Sequence, residues 1–222
     1  KKVISYKNAW LNVYDVPVIY FPKFFHPDPT VKRRSGFLIP SFQSTKGGSS
    51  LNIPYFHVVS DNKDFTLSPR LYTGEKILLQ TEYRQVNLNS TQISDFSFFK
   101  EADKNSKNHF FYELNKSIDY LNFEDGDIDF QIQKTSNDTY LKANKLRSPI
   151  LDDYVEGHKE FLESSFDLDL YSDDFSVRSG FIIYEDVNKD HSDRYEFVLP
   201  RVDITKKIEN KTKLDGDFLL KS

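Results

Sequence analysis

Three prolines, Pro40, Pro54 and Pro69, stand inside runs that otherwise alternate apolar and polar residues as β-strands do: Ser35 to Ser44, Ser49 to Val59 and Phe65 to Tyr72. Proline has no N–H to give a sheet ladder and is confined to edges, strand starts and bulges. Either these runs are not strands, or the sheet they open is weak where its first strands meet. The rest of the chain favours the second reading, because it goes on producing strands.

Strand patterns precede the prolines at Val3 to Tyr6, Ala9 to Tyr14 and Val18 to Phe21. They continue at Ile77 to Leu88, Thr91 to Phe99, His109 to Phe123, Ile128 to Lys134, Phe161 to Tyr171, Phe175 to Tyr184, Arg194 to Ile204 and Asp217 to Leu220. The periodicity offers one short helix, between Leu141 and Tyr154, and Pro149 argues against it. From Pro22 to Arg34 the chain carries three prolines and a basic cluster; residues 23–34 read as a linker between a first unit, residues 1–22, and a larger one, residues 35–222.

Within the larger unit the connections alternate in length. The first few, Thr45 to Gly48, Asp61 to Asp64, Gly74 to Lys76 and one near Asn89, are all short; after them Glu101 to Asn108, Asn137 to Lys159 and Asp186 to Asp193 are long, and Glu124 to Asp127 and Ser172 to Asp174 short. Tight turns on one rim and long loops on the other are the pattern of outer-membrane barrels. Side chains sort the same way. Tyr112, Leu114 and Ile118 oppose Glu113, Asn115 and Ser117; Ile128, Phe130 and Ile132 oppose Asp129, Gln131 and Gln133; Leu162, Phe166, Leu168 and Leu170 oppose Glu163, Ser165, Asp167 and Asp169. Lys116 falls on the apolar face, where a bilayer midplane position would cost roughly 2–4 kcal/mol, so it is expected at an interface. A soluble β-sandwich serving as a binding or adhesion module also alternates, with its apolar face turned inward. It stays open as the alternative.

A mean hydropathy of −0.59 beside 15% aromatic residues is polar for a soluble core and ordinary for a barrel with a wet lumen. The net charge of −4, from interspersed acids and bases, gives no nucleic-acid footprint. The chain has no methionine, even at residue 1, and reads as a fragment; zero cysteines excludes a disulfide framework within it. An enzyme finds no support. His26, His57, His109, His158 and His191 are scattered without ligand spacing, and Asp186 to Asp193 imitates a calcium loop but lacks its glycine and closing glutamate. No cofactor or metal site is expected.

The stretches VPVIYFPKFFHPDPTVKRRSGFLIPSF and IPYFHVVSDNKDFTLSPRLYTGEKILLQTEYRQ resemble the family of the lipopolysaccharide-assembly outer-membrane protein LptD, the organic solvent tolerance protein. The match is strongest from Val16 to Arg84, and NDTYLK and YEFVLPRVDI look like later landmarks. PYFHVVS and TEYRQV depart in detail from the family's forms of these strands. The resemblance implies an all-β fragment: the end of a periplasmic jelly roll, then roughly the first eleven of about two dozen antiparallel strands of an outer-membrane barrel. It implies lipopolysaccharide transport to the cell surface, with lateral exit beside the first strand at Phe37, Ile39, Pro40 and Pro54. Lipopolysaccharide phosphates would meet Lys23, Lys32, Arg33 and Arg34, and acyl chains a groove of Val13, Val16, Ile19 and Phe21. The basic cluster also reads as a rim facing headgroups, the groove as sandwich core, and the prolines as bulge residues. Implied partners are lipopolysaccharide, the plug lipoprotein LptE, the periplasmic bridge protein LptA and the outer membrane itself.

Overall fold

The computed structural model describes the chain except for residues 1–2, 14–15, 28–32, 46–47, 75, 103–104, 120–122, 137–138, 152–160, 190–192, 210–216 and 222. Strands β1 (Val3–Val13) and β2 (Val16–Pro27) form an antiparallel pair. β1 bridges the gap expected after Tyr6. Asn8 takes a positive φ of 56° opposite Pro22, where neither a regular pair nor a proline donor exists, and the Tyr20 hydroxyl donates to Asn8 Oδ1 at 2.7 Å. β2 runs five residues into the expected linker, because Lys23 to Pro27 find ladder partners in Lys7 to Val3.

The remaining strands make one 13-stranded sheet. They are β3 (Gly36–Phe37), β4 (Ser41–Thr45), β5 (Gly48–Asn52), β6 (Tyr55–Ser60), β7 (Lys63–Tyr72), β8 (Lys76–Val86), β9 (Ser90–Glu101), β10 (Lys107–Ser117) and β11 (Asp125–Thr135). A single turn of helix, α1 (Tyr140–Ala143), precedes β12 (Phe161–Tyr171), β13 (Phe175–Asp186), β14 (Tyr195–Glu209) and β15 (Asp217–Lys221). From β7 to β15 every neighbour in sequence is an antiparallel neighbour in space. β3 with β4, and β5 with β6, are two halves of one strand each, so the 13 segments occupy 13 − 2 = 11 strand positions. The ladder on β10 ends at Ser117, six residues short of the expected Phe123, and the turn to β11 is correspondingly longer. Lys116 pairs with Ser90 and Ile128 at the short-turn rim, away from the middle of the band.

Register assigns each side chain to a face. On one face Leu71, Ile77, Leu79, Phe96, Phe98 and Phe110 run across four strands and keep 36–48% of their surface exposed. On the other lie Arg70, Gln80, Asp95, Ser97, His109 and Gln133, and of these Asp95, Ser97 and His109 are fully buried. Burial there is inverted relative to a sandwich: in the half of the sheet next to the long connections the polar face is the covered one, while toward the short-turn rim Asp129 and Asp167 on the same face are exposed. The cover is the connection after β11, where Tyr140, Leu141, Leu146 and Ile150 pack with Leu78, Phe111, Leu162 and Val187 in the main hydrophobic cluster. Leu162 belongs by alternation to the apolar face, but pairing of β11 with β12 stops at Gln131 and Ser165, and Leu162 joins the cluster beyond that point.

Candidate functional site: a broken sheet edge

The three prolines lie on one line across the first three strand positions. β3 pairs with β6 through Phe37 and Tyr55, and β4 with β5 through Ser41 and Asn52, so Leu38 to Pro40 oppose only Ile53 and Pro54. That is a bulge of one residue, and it breaks both strands. The bond found across the gap is Leu38 N–H to the Pro54 carbonyl, 2.9 Å. One position further in, Ile53 N–H donates to the Pro69 carbonyl at 3.1 Å. A residue in an extended strand turns its N and its C=O to the same neighbour. Hence Pro54 withholds its missing donor from the first strand, and Pro69 withholds its own from the second. Pro69 leaves β7 continuous, since its other edge pairs regularly with β8.

Phe37 borders this break and Ile39 lies within it; they are 76% and 90% exposed. Phe37 begins a row of ring contacts along the edge: to Tyr55 edge-on at 5.1 Å, then Tyr55 to His57 at 6.3 Å and His57 to Phe65 at 4.9 Å. Arg33 pairs with the buried Asp64 carboxylate and donates to the Asp61 carbonyl at 2.7 Å. Arg34 is exposed. Lys23 is exposed and stands directly opposite Lys7 in the β1–β2 ladder, a neighbour that linear reading did not single out. Lys32 lies outside the described residues, as do the side chains of Val13, Val16 and Ile19; Phe21 is half-buried opposite Ala9.

The segment covering the polar face is fastened by polar bonds as well as by packing. Arg70 donates from Nη1 to the Asn144 carbonyl at 2.5 Å, the Tyr72 hydroxyl to Asn144 Oδ1 at 3.1 Å, and Gln80 Nε2 to the Arg147 carbonyl at 2.8 Å. Ser97 Oγ lies 2.7 Å from the Tyr140 hydroxyl and 2.5 Å from His109 Nδ1, and His109 Nε2 lies 3.4 Å from Asp95. Burial pushes the Tyr140 hydroxyl up to about 12, against a lowering by its bond to Ser97. Serine, histidine and aspartate here match the residue types of a hydrolase triad, but all three are fully buried and Ser97 Oγ is already engaged by the Tyr140 hydroxyl, so they tie the connection to the sheet. No cluster of acids and histidines that could hold a metal occurs among the described residues.

A family model described as LptD protein matches residues 4–87, which includes β1, β2 and the whole broken edge. LPS-assembly protein LptD of Psychrobacter arcticus is 30% identical over 167 residues, covering 68% of this chain and 18% of that protein. The protein of the same name from Pseudoalteromonas translucida is 31% identical over 138 residues, 60% of this chain and 18% of its own length; that of Pseudomonas aeruginosa is 37% identical over 97 residues, 43% and 10%. The chain therefore spans less than a fifth of these relatives. With a matched segment that carries the proline line and alignments that continue along the sheet, the chain belongs to the LptD family.

Proposed function

We propose that the chain forms part of a lipopolysaccharide-assembly protein of the Gram-negative outer membrane, that its 13-stranded sheet is wall of a barrel, and that the broken edge is the seam through which lipopolysaccharide leaves sideways. The observation that carries the reading is the inverted burial of the sheet. A contiguous apolar face left open while the polar face is covered suits lipid outside and water or protein inside. It also weighs against the sandwich module, which would hide its apolar face.

On this reading the break lowers the cost of parting the first strand from whatever strand closes the barrel, and Phe37 and Ile39 offer acyl chains an apolar edge. β1 and β2 are the end of the periplasmic jelly roll that receives lipopolysaccharide from LptA, and LptE fills the lumen beside the covered polar face. Lys7 and Lys23 support a phosphate path. Like charges directly across a ladder repel, and an anion above the pair relieves that cost. In the full-length protein, photocrosslinkers at Ile39 and Phe42 are expected to capture lipopolysaccharide, whereas one at Phe110 on the unbroken face is not. Equal capture at all three would remove the seam.

A further inference from the structure

The foot of the broken first strand is held by charge more than by ladder. Besides the Gly36 and Phe37 pairs to β6, it is tied by the Arg33 ion pair to Asp64, by Arg33 to the Asp61 carbonyl at 2.7 Å, and by the Val58 N–H to Ser35 Oγ at 2.9 Å. Asp64, 4% exposed, takes a second cation: Arg84 Nε donates to its other oxygen at 2.9 Å. One buried carboxylate thus joins the foot of the first strand to the third and fourth. On the far side of the proline line the β4–β5 hairpin is attached inward by backbone bonding: three pairs, Ser50 to Tyr72, Leu51 to Leu71 and Asn52 to Arg70, and the Thr73 N–H to the Ser49 carbonyl at 3.0 Å. The strand that receives it is itself anchored, since Arg70 and Tyr72 hold Asn144.

We propose that Arg33 and Asp64 form a foot clamp that positions the first strand at the short-turn rim, so that the edge parts from one end, with the β4–β5 hairpin as the moving unit and the proline line as its hinge. Its bearing on transport rests on the seam reading above; the clamp itself is a local property of the fold. Arg33 acts as a positioning residue. A planar guanidinium can serve the Asp64 carboxylate and the Asp61 carbonyl together, which a lysine ammonium on a flexible stem does less well. Removing Arg33 still leaves Asp64 paired with Arg84, so the fold survives the test.

Hydrogen exchange on the full-length protein in detergent reads the clamp directly. In the wild type, amides of Gly36, Phe37 and Tyr55 to Val58 are expected to exchange more slowly than those of Phe42 to Ser44 and Ser49 to Asn52. Arg33→Gln should speed the foot amides about ten- to a hundredfold and leave the hairpin unchanged, with Arg33→Lys between. Equal exchange of foot and hairpin in the wild type, or an unchanged foot in Arg33→Gln, overturns the proposal. The wild-type comparison stands even if a variant fails to insert. Crosslinking at Ile39 tests the seam separately: its failure would remove the exit path, and the exchange data would still decide the clamp.

Discussion

Pro54 and Leu38 face each other with one bond where a regular pair would make two. An alanine at 54 supplies the missing donor toward Leu38, and one net hydrogen bond is worth roughly 0.5–1.5 kcal/mol. Pro40 sits among three residues that oppose two, so an alanine there gains freedom without a matched acceptor. Pro54→Ala is therefore expected to carry most of the effect of the Pro40→Ala, Pro54→Ala pair, closing the edge by a factor of about two to ten. Surface lipopolysaccharide should fall and sensitivity to large hydrophobic antibiotics rise, at unchanged insertion. Equal effects of the two single variants would contradict the register. Tyr140 makes a second residue-scale test. Its hydroxyl is raised to about 12 against an unfolded value near 10, so its contribution is fully present below pH ~10 and is lost as pH climbs toward ~12. Protection of the Tyr140 to Ile150 amides, taken relative to the base-catalysed rise common to all amides, should fall over that window, and Tyr140→Phe should remove the step while lowering protection at neutral pH.

At the scale of elements, the connection after β11 is a structural member. α1 is one turn long, and Lys145 leaves it at a positive φ of 47°. A helix this short has no stability of its own. It persists because Leu141, Leu146 and Ile150 bury themselves against Leu78 and Phe111 while Asn144 receives Arg70 and Tyr72. Truncating Leu141 or Leu146 to alanine should cost about 2–5 kcal/mol, less where the site collapses. Limited proteolysis of the folded protein is the check: cleavage within residues 139–151 should accelerate in Leu146→Ala and not in Lys142→Ala, whose side chain is exposed. β12 and β13 hold a further local rule. Gly180, at the bulge opposite β14, has no room for a Cβ, which would sit 2.9 Å from the Phe166 carbonyl oxygen. Gly180→Ala should lower stability and disturb the ladder to Phe166.

For the whole molecule, the two faces of the sheet set its surroundings. An apolar band across β7 to β10, left open by a covered polar face, asks for lipid or detergent, and the purified full-length protein should precipitate when detergent is withdrawn. The rims give an orientation. Single cysteines at Ser106 and Asn188, in the long connections, should react with an impermeant reagent on intact cells, while one at Asn89, in a short turn, should not. Equal labelling at all three would invert or abolish the membrane reading.

What the sequence determined by itself is what local physics encodes. Strand alternation has a period of two, so β7, β9, β12 and β13 are legible to within a residue or two at most ends, and the polar and apolar faces follow without any partner being known. The prolines announce a weak place because a missing N–H is a property of the residue. Tertiary structure alone decided what depends on register and on distant contacts. That Leu38 to Pro40 oppose two residues is a matter of pairing between strands. That Arg33 answers Asp64 depends on a separation of 31 positions closed by the β6–β7 turn, and that Asn144 answers Arg70 on one of 74. The folding of the long connection onto the polar face was unreadable for the same reason. Its apolar residues, Leu141, Leu146 and Ile150, offer a helix longer than the single turn that forms, and only the far wall of the sheet tells them where to go.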